Sequence, residues 1–126
     1  MIPEPPAILD AARVLEYAPF DAQLASGRAS GMIGGIAVDL QNVSGLVIVE
    51  DLARETLFLL HCNSDWETVA AGEIADVASG KASAETSFPG VAKLWRKFRS
   101  LTPEEQAEIE STRKFLRELM ESEPED

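Results

Sequence analysis

The chain has 126 residues, 45% of them apolar and 26% charged, with 22 acids against 11 bases for a formal net charge of -11. Such a length and mix suit one domain, residues 1–126, with a packed core, and exclude collagen-like, low-complexity and wholly disordered chains. The charge argues against nucleic acid and anionic membranes as partners, since both reward Lys and Arg, and favours a basic protein instead.

Residues 1–6 hold three prolines and read as a loosely held extended arm. Residues 7–11 suit a short helix or turn, and Arg13-Val14-Leu15-Glu16-Tyr17 alternates as a strand does, giving a strand over about 13–18. Pro19 and Asp21 break that pattern. Residues 21–35, with four glycines, read as a loop feeding a strand at Ile36-Ala37-Val38-Asp39-Leu40.

Leu46-Val47-Ile48-Val49 is apolar on both faces, as a central strand covered on both sides must be. A charged connection over 50–55 leads to a second apolar strand at 56–60. Asn63-Ser64-Asp65 turns the chain, and Trp66–Ala71 forms a last short strand. Connections this brief make neighbouring strands antiparallel.

The rest reads as helical. Asp76 is an N-cap for a helix ended by Pro89-Gly90. Val91, Leu94, Trp95 and Phe98 recur at i, i+3, i+4 and i+7, which predicts a two-turn helix with Lys93, Arg96, Lys97 and Arg99 on its opposite side. Thr102-Pro103-Glu104-Glu105 is a capping box with proline at the first helical position. The helix behind it runs to Glu121, and residues 122–126 form an acidic tail. Residues 91–100 carry four bases and no acid, whereas residues 101–126 carry nine acids and three bases.

The apolar runs are far shorter than the roughly 20 residues of a spanning helix. The first ten residues lack the basic start and apolar stretch of a signal peptide. With a single cysteine, these features point to a cytoplasmic protein.

Chemistry-bearing groups are few. The one histidine, His61, adjoins the one cysteine, Cys62, with Asp65 nearby, a combination that suggests a thiol nucleophile and its base. Adjacent strand residues point to opposite faces, however, which separates thiol from imidazole. One His and one Cys leave a metal site short of ligands, so no metal and no cofactor are expected. Val77-Ala78-Ser79-Gly80-Lys81-Ala82 lacks both the leading glycine and the trailing hydroxyl of a phosphate-binding loop. Asp39 is flanked by apolar residues and has no evident partner.

The segments Leu59-Leu60-His61-Cys62-Asn63-Ser64-Asp65-Trp66 and Phe88-Pro89-Gly90-Val91, with Trp95, resemble small uncharacterised bacterial domains. The resemblance spans about residues 57–95 and implies a strand, a hairpin and a sheet-covering helix; it implies no activity.

The sequence thus predicts an α+β fold: a mostly antiparallel sheet of four or five strands with C-terminal helices packed on it. Without a catalytic constellation, the expected function is a non-enzymatic acidic protein that binds a basic protein partner, in the manner of an immunity protein or antitoxin. A second expectation is a homodimer formed through Phe115, Leu116, Leu119 and Met120 on the last helix. A third is a small enzyme or ligand-binding domain with a pocket near His61, Asp65 and Trp66.

Overall fold

A computed structural model of the chain describes residues 4–19, 31–33, 36–38 and 43–122. Its elements are strands β1 (Ile8–Leu9), β2 (Ala12–Pro19), β3 (Gly31–Ile33), β4 (Ile36–Val38), β5 (Gly45–Asp51), β6 (Leu57–Cys62) and β7 (Thr68–Ile74). Helix α1 (Val77–Ser87), strand β8 (Arg96–Lys97) and helix α2 (Pro103–Ser122) complete the order. The main sheet runs β1-β2-β5-β6-β7, with β8 also paired to β2, and every described pairing is antiparallel. The α+β expectation holds.

Alternation along the strands builds two cores, one on each face of this sheet. Leu46, Ile48, Leu59 and Ala70 point to the face covered by α1, where Ala84, Phe88 and Val91 meet them. Val14, Val47, Val49, Leu60 and Cys62 point to the other face, with Trp66. Gly80 lets α1 settle directly onto Ile74 and Ile48. Asp76 caps α1 by accepting the Ser79 N–H at 2.7 Å.

Several expectations change. The loosely held arm is tied down from Glu4 onward: Pro5 is fully buried, and the Glu4 carboxylate accepts from Arg99 Nε at 3.1 Å. Of the short helix or turn expected over residues 7–11 the turn forms, as the tip of a hairpin over residues 8–13. Its two-residue turn, Asp10-Ala11, has φ of 51° and 59°, the left-handed pair that matches strand twist. The strand placed at Trp66–Ala71 lies later, at Thr68–Ile74, because Asn63 prolongs the turn. Its side-chain oxygen accepts the N–H groups of Asp65 and Glu67.

The predicted helix over Val91–Phe98 does not form. Val91–Lys93 make a single 3-10 turn, after which the chain extends and Arg96 and Lys97 pair with Tyr17 and Glu16 of β2. The four apolar residues serve two different cores: Val91, Leu94 and Trp95 pack under α1, while Phe98 joins the opposite face beside Tyr17. A bulge between Val14 and Glu16 divides the outer edge of β2, giving β1 one segment and β8 the other.

Residues 31–33 and 36–38 pair as a hairpin, where one strand was expected. Asp39, Leu40, residues 20–30 and residues 123–126 lie outside the described residues. No described helix is long and apolar enough to cross a membrane.

Candidate interaction surface

His61 and Cys62 stand on opposite faces of β6. His61 is opposite Leu46 and Ala70, is buried, and lies 6.0 Å from the Phe88 ring. Burial lowers its pKa to about 4, against a weaker upward pull from a hydrogen bond to the Ala70 backbone, and its Nδ1 has no hydrogen-bond partner. Cys62 is buried among Val47, Leu60 and Trp66, and burial pushes its thiol up to about 12. A thiol so held is a packing group rather than a nucleophile.

Asp65 is exposed in the turn, and Trp66 is buried on the face away from His61. The three residues named for a pocket therefore do not converge. Among the described residues, no group of three or more His, Cys, Asp or Glu side chains is placed to hold a metal ion.

The four residues named on the last helix are brought together. Phe115, Leu119 and Met120 are 60%, 48% and 45% exposed, and Leu116 is half-buried beside them. Helix α2 is anchored earlier, by buried Ile109 and by Arg113 and Arg117, which reach Glu50 at 3.7 Å and Glu55 at 3.0 Å. Its last two turns are thereby held beside the sheet with Phe115 and Met120 exposed.

Leu116, Leu119 and Met120 wall one side of a trough. A cavity of about 430 Å³ lies between Leu116, Leu119 and Met120 on α2 and Phe58 on β6. A second, of about 220 Å³, continues it over Ala12, Val49, Leu60 and Ala71, and the two share Asp51 and Phe58. The trough thus opens onto the sheet face that α1 does not cover. Its charged lining is Asp10, Asp51 and Glu73 against Arg54 alone. Two of these carboxylates are fixed in place: Asp10 accepts the Thr68 hydroxyl at 2.6 Å and Asp51 accepts the Arg54 N–H at 2.8 Å.

Helix α2 adds a further negative end. A helix C-terminus carries partial negative charge, which basic residues commonly offset. Here the last turn has no basic residue, and Glu118 and Glu121 are exposed. The sequence then continues with Glu123, Glu125 and Asp126.

The trough's residues come from β2, β5, β6, β7 and α2, and no local pattern signals their meeting; the sequence marks only the apolar stripe on α2.

Comparison of the chain with protein-family models, with curated proteins and with solved structures finds no match.

Proposed function

We propose that the protein is a small, non-enzymatic acidic interaction module that docks a basic protein partner in the trough between α2 and the sheet, as an immunity protein or antitoxin does. The observation that carries this reading is the trough's composition: an apolar floor and wall with three carboxylates against one guanidinium. Apolar contact supplies most of the affinity of such a surface, while the charges select the partner and steer its approach. The net charge of -11 extends that steering beyond the trough and repels nucleic acid and anionic lipid.

The test uses a helical peptide with leucines along one face and lysines along the other, and a scrambled peptide of the same composition. The ordered peptide binds more tightly, its affinity falls with salt, and Leu119→Asp abolishes the preference. Equal binding of both peptides by the parent protein overturns the proposal.

Exposure of Phe115, Leu119 and Met120 favours a second reading, a homodimer through the same helix. Two copies each carrying a net charge of -11 would then approach one another, which costs a symmetric contact what a basic partner gains. Sedimentation at high micromolar concentration separates the two: a dimer that Leu119→Asp dissolves supports the second reading, and a monomer removes it.

A further inference from the structure

The sheet and the first half of α2 enclose a second concave region, unlike the trough. A cavity of about 340 Å³ lies between Arg13 on β2 and the segment Phe98–Leu101, and another of about 220 Å³ extends it toward Ile109 and Arg113. The two share Arg13, Leu101 and Gln106. Arg13 therefore stands at their junction, with Arg113 at the far end.

Both arginines carry a guanidinium nitrogen without a partner. The Nε of each is shut off from solvent and has no hydrogen-bond partner, so each guanidinium has lost hydration on that side with no acceptor in return. Glu50 is the cross-strand neighbour of Arg13, but the ion pair it forms, at 3.7 Å, is with Arg113. Arg13 makes no ion pair among the described residues. Glu110 lines the outer cavity but is exposed, where water weakens its pull. The third arginine of the region, Arg99, is already neutralised by Glu105 and Glu4.

From this arrangement we infer that the cavity between β2 and α2 is a binding site for a small oxyanion, a phosphate or carboxylate group, with Arg13 as its principal ligand and Gln106 as a supporting one. A partly desolvated guanidinium binds such a group with paired, charge-assisted hydrogen bonds. Gln106 and Ser100 supply neutral donors at the same cavity. The chain's overall acidity does not forbid this, because charges more than about 8 Å away are largely screened at physiological salt. The site is independent of the trough.

The experiment follows backbone amide shifts of the full chain during titration with inorganic phosphate and, separately, acetate, at constant ionic strength set by chloride. Saturable shifts at Ser100, Leu101 and Gln106 with either anion are expected, and which of the two binds tighter identifies the group. Arg13→Lys keeps the charge and loses the fork, so it weakens binding roughly tenfold or more. Arg13→Met abolishes binding, and Arg54→Gln, at the trough, leaves it unchanged. No saturable shift in the parent protein overturns the inference. So do shifts that survive intact in Arg13→Lys, and shifts confined to the exposed cations Lys93, Arg96 and Lys97.

Discussion

The indole of Trp66 lies so close against Gly45 that a Cβ on residue 45 would stand 2.5 Å from its Cζ3 and 2.7 Å from its Cη2. Trp66 cannot easily retreat: its φ is 61°, and its ring is buried edge-on to Tyr17 at 6.0 Å. Gly45→Ala should therefore overpack this core and cost about 1–3 kcal/mol. Two other glycines calibrate the measurement. At Gly72 a Cβ meets nothing within 4 Å, so Gly72→Ala should change stability by less than about 0.5 kcal/mol. At Gly80 the nearest atom is Cδ1 of Ile74, at 2.6 Å. That flexible tip can move, and alanine gains about 1 kcal/mol of helix propensity, so Gly80→Ala should come close to neutral. Urea unfolding of the three variants should rank Gly45→Ala as clearly the worst.

The turn between β1 and β2 runs against its own sequence. Asp10 and Ala11 are both left-handed, with φ of 51° and 59°, a geometry that glycine or asparagine usually supplies. Alanine there has no side-chain hydrogen bond to offset the steric cost. Ala11→Gly should stabilise the protein by about 0.5–1 kcal/mol, because the relief of strain exceeds the added freedom of the unfolded chain. The unfolding midpoint in urea should rise with an unchanged slope. A fall in the midpoint would mean that the Ala11 methyl contributes more to packing than its backbone costs.

What could be read in advance follows from range. Asp76 and Thr102 with Glu105 signal helix starts because each cap bonds within three residues of itself. Leu46, Val47, Ile48 and Val49 signal a strand covered on both sides because four consecutive apolar residues fit little else. The opposite facing of His61 and Cys62 follows from alternation alone. Elsewhere local pattern misleads. Val91, Leu94, Trp95 and Phe98 have helical spacing, yet β2 captures Arg96 and Lys97 and sends Phe98 to the far core. Asp10-Ala11 lacks the glycine that would mark a hairpin. The trough and the arginine cavity join residues some 50 to 100 positions apart, and nothing short-range encodes such a meeting.

His61 makes stability depend on pH in a defined window. In the unfolded chain it takes up a proton near 6.5, whereas in the folded protein burial delays this to about 4. Between those values the unfolded state holds more protons, so stability is full above pH 6.5 and falls as pH drops toward 4. The loss should approach about 3 kcal/mol at the lower limit. Asp76, Glu85 and Glu105 have carboxyls held below their ordinary range by backbone N–H groups or Arg99, and their contributions are lost only at lower pH. From 6.5 to about 4.5 the slope should thus belong chiefly to His61. His61→Gln should flatten the curve of urea-derived stability there. An unaltered slope in that variant would remove His61 from the account.

Arg99 joins three parts of the chain that share no strand pairing with one another. Its Nη1 and Nη2 donate to the two oxygens of Glu105 at 2.6 and 2.8 Å, its Nε donates to Glu4 at 3.1 Å, and it lies 4.9 Å from the Phe98 ring. The same Glu105 closes the α2 cap by accepting the Thr102 N–H at 2.9 Å. The guanidinium and that N–H hold the Glu105 carboxyl at about 2, so this fastening is intact above pH 4.5 and weakens as pH falls toward 2. Arg99→Lys keeps the charge but can reach only one carboxylate at a time. Amide exchange should then quicken at the Val14 N–H, which donates to the Ala7 carbonyl at 3.0 Å, while the first turn of α2, still capped by Thr102, changes less. Arg99→Ala should quicken both, since Glu105 loses the partner that orients it toward Thr102. Equal protection of the Val14 N–H in all three proteins would assign the anchoring of residues 4–7 to buried Pro5 and Ala7 instead.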